Sequence, residues 1–409
     1  MEKLKRPEII FAIFALVFGT IIMFITPKYE VPDEMAHFNR AKEVSNGILY
    51  NNLPQNRHDN YKFHGASGYS PVMYISSAIG YKIGTYTKNN EIAFYLGRFL
   101  NLITWTILIF FAIKITPIFK WQFLFIALLP MSIFEGASYS ADSFNNAFAF
   151  LFFSYIFKMI FEKQDIKSIK DYSLISIYTI IGAMCKCAIS PIFLLLFSKI
   201  NKYKKIIISF IIIIAISLLY IWTTNNYSSI CSGVNKSNNK DFIRYDTIEF
   251  IKLISITCVH YFRRWIEECI GALGLLTIRF NNIFYNSTIL LFFSSLFFIP
   301  EKYTIKLSQR IYSLLIFIGY VFFTCALLFI NWTPQGSYYI QGIQGRYFLC
   351  VLPLLFITFK INNKNNNNST IMKKGLIIYT LLMLLYCVDT LKSIYSLMFF
   401  ENYPPTFFH

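Results

Sequence analysis

The chain reads as an all-α, polytopic membrane protein, a transmembrane helical bundle of about eleven spans, and three observations carry that reading. It is 56% hydrophobic and only 14% charged over 409 residues, with a mean hydropathy of +0.49. Apolar runs of about twenty residues, long enough to cross hydrocarbon, recur along it. Between them stand short cationic clusters: Lys3-Lys5-Arg6, Lys163-Lys167-Lys170, Lys199-Lys202-Lys204-Lys205, Lys302-Lys306-Arg310 and Lys360-Lys364-Lys373-Lys374. That alternation is expected when positive residues stay in the cytoplasm. The net charge of +17 therefore reports topology and not a nucleic-acid surface, because no basic groove interleaved with aromatics occurs.

The first run, Pro7 to Ile25, is too long for a cleaved signal peptide and no small-residue cleavage site follows it, so it reads as an uncleaved signal-anchor. Further spans are expected near 94–116, 121–136, 142–161, 172–185, 188–199, 204–223, 282–299, 309–331, 347–361 and 374–393. The stretch 172–199 has cationic clusters at both ends, with Lys186 and Pro191 inside it. It reads as a hairpin of two short helices, a single long helix being the alternative. This arrangement makes residues 1–393 one transmembrane domain, with the N-terminus cytoplasmic and the tail 394–409 outside.

Two long outer loops result, 27–93 and 224–281, together with a short one at 332–346. In the first, Met35 to Ile48 and Tyr69 to Tyr86 have helical spacing and read as amphipathic helices lying in the membrane plane. The Asn362–Thr370 tract reads as a flexible cytoplasmic loop. All five histidines, His37, His58, His64, His260 and His409, fall on the outer side. Among the eight cysteines, Cys185, Cys325, Cys350 and Cys387 sit in or beside apolar runs as small hydrophobes. Cys231, Cys258 and Cys269 share one outer loop where a disulfide is conceivable. Cys185-Lys186-Cys187 lacks the spacing of a zinc pair. No internal repeat, heptad seam or glycine-rich nucleotide loop is present.

The densest chemistry lies just after the first span, in Pro32-Asp33-Glu34-Met35-Ala36-His37-Phe38-Asn39-Arg40. Ionisable groups concentrated at a membrane boundary are costly there and usually serve a site. Adjacent carboxylates on a helix diverge by about 100°, so one of Asp33 and Glu34 is expected to act and the other to bind or orient. Such a carboxylate suits a general base on a hydroxyl, or a ligand for a hard divalent ion. The competing reading makes Asp33 a helix N-cap. His37 and Arg40 fall on roughly the same face as Asp33.

A second constellation is Gln341-Gly342-Ile343-Gln344-Gly345-Arg346-Tyr347, before the tenth span. Arg346 at the hydrocarbon boundary suits a bidentate grip on phosphate, against snorkelling with Tyr347 in an aromatic belt. Asp142, within Ser138–Ser143, is either a buried functional carboxylate or a helix cap. Lys186 either pairs with a carboxylate or phosphate, or snorkels outward. Arg98 and Asn101 open the second span with a weaker signal. Arg263-Arg264-Trp265-Ile266-Glu267-Glu268 reads as a surface turn with no assigned role. A metal site from His37, His58 and His64 has no tight spacing to support it, and no nucleophile elbow occurs.

Three segments together, Pro32-Asp33-Glu34 with His37 and Gly47, Tyr69-Ser70-Pro71 with Tyr74, and Gln344-Gly345-Arg346-Tyr347, resemble a bacterial family of multi-span proteins of unknown function grouped with the GT-C glycosyltransferase superfamily. Pro130 to Asn146, with Ser140-Ala141-Asp142, fits the same pattern, and the resemblance spans about 8–361. It implies a membrane enzyme that takes sugar from a polyprenyl-phosphate donor on the outer face of the bacterial cytoplasmic membrane. A carboxylate of the first outer loop, Asp33 or Glu34, would be the base, and the donor phosphate would be held by Arg346. His37, Arg40, Tyr69, Tyr74, Arg98, Asp142, Lys186, Gln344 and Tyr347 would line the substrate site. The adjacent acidic pair departs from the separated pair of metal-dependent members, which leaves use of a divalent metal (Mg or Mn) open. A transporter or flippase of lipid-linked saccharide, or a non-catalytic subunit of an envelope-assembly complex, is the alternative.

Overall fold

The computed structural model describes residues 6–49, 66, 68–163, 165, 166, 168–186, 188–196, 198, 200–226, 234–362 and 368–400. His58, His64, Cys187, Cys231, His409 and residues 363–367 and 401–409 of the expected loop and tail lie outside them. The described chain is almost wholly helical. It comprises α1 (Pro7–Ile25), α2 (Glu34–Ser45), α3 (Ile75–Thr85), α4 (Asn90–Ile115), α5 (Lys120–Ala127), α6 (Pro130–Gly136), α7 (Ala141–Phe157) and α8 (Ile169–Met184). These are followed by α9 (Phe193–Leu196), α10 (Lys202–Asn226), α11 (Lys236–Tyr245), α12 (Thr247–Gly271), α13 (Asn282–Phe298), α14 (Leu307–Trp332), α15 (Leu352–Phe359) and α16 (Ser369–Phe400). A small antiparallel hairpin pairs Ala272 with Arg279 and Leu273 with Ile278.

Among the described residues, five helices are long and apolar enough to cross a membrane: α1, α4, α7 with its extension to Lys163, α14 and α16 as far as Ser396. Two shorter apolar segments, α13 and Gly345–Phe359, accompany them. The expected span 204–223 is the continuous helix α10, and the others appear as shorter or interrupted helices. The run 121–136 breaks into α5 and α6 because Leu129 precedes Pro130, and the ring clash drives Leu129 out of the helical region to ψ 143°. The stretch 172–199 is interrupted, as the hairpin reading requires. Helix α8 ends at Cys185 in extended backbone, and a 3₁₀ turn, Ser190–Ile192, leads into the four residues of α9.

Helix α7 is the central element, with 83% of its apolar window buried, against 17% for α14. A helix apolar all round belongs inside the bundle, and its Phe148, Phe150, Phe152, Phe153 and Phe157 are all buried. Helix α4 packs against α1, α3 and α7, with Trp105 buried against Phe11 at 5.4 Å. Helix α3 approaches α4 through Gly80 and Gly84. An added Cβ would lie 2.4 Å from the Leu96 carbonyl oxygen at the first and 2.3 Å from Ala93 Cα at the second. This is the small-residue contact by which membrane helices come close.

The segment expected to form the first outer loop differs from expectation in one respect. Helix α2 is present, yet its buried face is the polar one, Glu34, His37 and Arg40, while Met35 is 57% exposed. Its polar side turns into the protein because the partners of those groups are there. Helix α16 continues past residue 394 to Phe400.

Replacing Gly84 with Val should cost about 1–3 kcal/mol, the usual penalty of overpacking. It should lower the thermal midpoint in detergent, whereas Gly319→Ala, in the interior of α14 with nothing within 4 Å of the added atom, should not lower it.

Candidate functional site

The ends of α1, α2, α4, α6, α7, α8 and the Gly345 turn meet at one end of the bundle, and two buried arginines organise the meeting. The first is Arg98, fully buried on α4. Its guanidinium donates to both Glu34 oxygens at 2.8 and 2.5 Å and to the carbonyls of Met23, Thr26 and Pro27 at 2.8–3.0 Å. Those carbonyls belong to the end of α1, where backbone acceptors lack helical partners. Glu34 also accepts from the backbone N–H of Tyr29 at 2.9 Å and of Tyr139 at 3.2 Å. With every lone-pair direction engaged, Glu34 has no capacity left for substrate.

Asp33, one residue earlier, is placed differently. It stands in the left-handed region at φ 61°, and its side chain makes no capping bond to α2, so the N-cap reading does not hold. A side chain 56% exposed leaves the carboxylate open. One oxygen accepts from Arg346 Nη2 at 2.6 Å. A non-glycine residue in this region stores about 1–3 kcal/mol of strain and persists only where surroundings enforce it.

Arg346 is the second organiser. It is fully buried, with Nη1 on the Pro32 carbonyl at 3.3 Å and Nε on Gln344 Oε1 at 2.6 Å. Glu135 Oε1 and Asp142 Oδ2 each lie 3.6 Å from it and have no hydrogen-bond partner among the described residues. Lys186 Nζ meets Asp142 Oδ1 at 2.7 Å and lies over the Tyr69 ring at 4.4 Å from its centroid. The Tyr347 ring flanks both cations, 5.8 Å from Lys186 and 5.5 Å from Arg346. Three carboxylates thus face two cations at the mouth of the bundle.

His37 is fully buried beside this cluster. Its Nδ1 is 2.7 Å from the Tyr74 hydroxyl, its ring stacks on Tyr69, and its Nε2 has no partner among the described residues. Burial, reinforced by Lys186, pushes its pKa down to about 3, so the ring is neutral. Burial opposes the ionisation of Asp33, but the Arg346 guanidinium, with Lys186, outweighs it and holds the carboxyl below its usual range.

Of the expected site residues, Asp33, His37, Tyr69, Tyr74, Asp142, Lys186, Gln344, Arg346 and Tyr347 come together here. Glu34, Arg98 and Arg40 do not face it. Arg40 is spent on the carbonyls of Tyr69, Ile48 and Leu49 and on Glu43, tying down the loop after α2. Two participants were missed in the sequence. Glu135 sits inside a run read as plain apolar span, although a carboxylate at membrane depth is itself a signal. Glu268, in the segment given no role, accepts from Gly345 N–H at 2.8 Å. Only glycine fits there, since a Cβ would stand 1.9 Å from the Trp265 carbonyl oxygen.

Among the described residues no group of three His, Cys, Asp or Glu side chains is arranged to hold a metal ion. Asp33, Glu135 and Asp142 instead converge on one guanidinium.

Arg98→Lys should unfold the protein almost as surely as Arg98→Ala, because an ammonium cannot span five acceptors. Loss of about 3–5 kcal/mol, the cost of orphaning a buried charge, should show as loss of monodisperse protein after extraction. His37 sets a second expectation. The unfolded imidazole takes up a proton below its ordinary pKa of 6.5 while the folded one stays neutral to about 3. Stability is therefore lost as pH falls through that window, by up to about 1.4 kcal/mol per unit. Unfolding midpoints at pH 7 and pH 5 should differ more for wild type than for His37→Gln.

Neither a curated protein nor a solved structure matches the chain. A family profile does match, over residues 49–355, a stretch that takes in Tyr69–Tyr74, Ser140–Asp142 and Gln344–Tyr347 but leaves Pro32–Arg40 before it. With three quarters of its length in that match and membrane-length helices throughout, the chain belongs to the family described as predicted membrane protein (DUF2142).

Proposed function

We propose that the protein is a membrane glycosyltransferase of GT-C type, transferring sugar from a polyprenyl-phosphate donor to an envelope glycan or glycolipid on the outer face of the bacterial cytoplasmic membrane. The observation that carries the reading is the contrast between neighbours: Glu34 is saturated, while Asp33 is strained, open and, among the described residues, held by Arg346 alone. Asp33 is then the base and Glu34 its anchor. In one inverting step the acceptor hydroxyl gives its proton to Asp33, its oxygen bonds to the anomeric carbon, and the bond to polyprenyl phosphate breaks.

Arg346, supported by Lys186, receives the departing phosphate, a fixed positive charge where negative charge develops. A base clamped by a guanidinium is a weak base. A phosphate that draws Arg346 toward itself loosens the clamp and restores basicity to Asp33 once donor is bound. Neutral His37 positions groups by hydrogen bonding and carries no charge of its own. Helices broken at Leu129 and Cys185 beside buried charges are also what a flippase of lipid-linked saccharide would use.

Asn tolerates the left-handed region, so Asp33→Asn should fold normally. Its transfer from a panel of radiolabelled polyprenyl-phosphate sugars to native envelope acceptor should fall by about a hundredfold or more. Undiminished transfer in that variant would remove the catalytic reading. Undetectable transfer by wild type, with movement of intact lipid-linked saccharide between leaflets, would favour the flippase.

A further inference from the structure

The far end of α7 carries a second polar site. Its last turn, Lys158–Lys163, is π-helical, an uncommon geometry that concentrates at functional positions. In an α-helix two residues five apart diverge by about 140°, but the i→i+5 bonding of a π-turn brings them to one face. Lys158 and Lys163 accordingly both line a cavity of about 310 Å³, with Lys170 at the start of α8. Among the described residues one carboxylate lines the cavity with them. Asp171 is buried and pairs with Lys163 at 2.6 Å, and the Tyr155 hydroxyl lies 3.4 Å from it. Lys158 and Lys170 have no ion-pair partner among the described residues. Ile115, Leu174 and Tyr178 supply an apolar wall.

Position adds to chemistry. From Asp142 to Lys163 the helix rises about 30 Å, the thickness of the hydrocarbon core. The end of α4 at Ile115 lies here, whereas Arg98 near its start lies at the other site. The cavity is therefore one bilayer thickness from Arg346, in one of the cationic clusters expected to be cytoplasmic.

We propose that this cavity binds a phosphate group, with two unpaired ammoniums and the Lys163–Asp171 pair around the anion and the apolar wall beside a chain. Both an inner-leaflet phospholipid headgroup and a soluble phosphate offer that chemistry, and the wall favours the lipid. Basic cavities between helices on this side of a membrane commonly hold anionic headgroups.

The test compares full-length protein in nanodiscs of phosphatidylcholine with and without phosphatidylglycerol, reading the unfolding midpoint, and titrates detergent-solubilised protein with short-chain phosphatidic acid and with inorganic phosphate. Wild type should be stabilised by phosphatidylglycerol and should bind phosphatidic acid. Lys158→Gln/Lys170→Gln should weaken that binding more than about tenfold, and Lys158→Arg/Lys170→Arg should restore it. Lys302→Gln/Lys374→Gln, taken from other cationic clusters, should leave it intact. Competition by inorganic phosphate at equal concentration identifies the soluble ion as a ligand of the same site, and its absence identifies the headgroup. Equal binding by the Gln double variant and wild type, or equal loss in the Lys302/Lys374 control, overturns the proposal.

Discussion

The Glu34–Arg98 pair is the constraint on which the site end of the bundle depends. Each ion alone would cost several kcal/mol to bury, and the pair survives inside only because every donor and acceptor is met. Meeting them joins four pieces of chain. Arg98 comes from α4, its carbonyl acceptors from the end of α1, Glu34 from the start of α2, and the Tyr139 N–H from the turn before α7. One guanidinium thus does for α1 what a capping residue does elsewhere, and fixes where α2 begins.

Where α2 begins decides what Asp33 can do. The residue next to a saturated carboxylate is carried round by the chain into the left-handed region and turned outward onto Arg346. Arg346 is held as firmly from its own side. The close approach of Gly345 to Trp265, with Glu268 bonding its N–H, leaves the following side chain one course into the cluster. Two neighbouring carboxylates of identical chemistry therefore have opposite fates. One is consumed by structure, and the other remains available at the edge of a field made by Glu135, Asp142, Lys186 and Arg346.

Helix α7 sets the polarity of the whole. It is buried almost throughout, so its apolar length must be covered by protein and its two ends are the places where charge can gather. At one end Asp142 meets Lys186, returned there by α8 running back along α7. At the other, the π-turn opens and lysines outnumber carboxylates. Lipid-facing work falls to α14 and α16, whose outer faces are apolar and exposed.

By itself the sequence determined the class of the protein and the membrane-length helices, because hydrocarbon admits little but long apolar helices with satisfied backbones. It also marked Asp33, His37, Asp142, Lys186 and Arg346, since charge at a membrane boundary is costly enough to stand out. Tertiary structure alone decided which of them meet and which are saturated. Glu34 and Asp33 are indistinguishable in one dimension, and so are the anchoring Arg98 and the site-forming Arg346. What separates them is which acceptors come within reach once α1, α4 and the Gly345 turn converge. Glu135 and Glu268 are illegible in the sequence for the same reason: what ties each to the cluster is a contact with a distant residue, Arg346 for Glu135 and Gly345 for Glu268, although each also meets a near neighbour, Asn146 and Arg264.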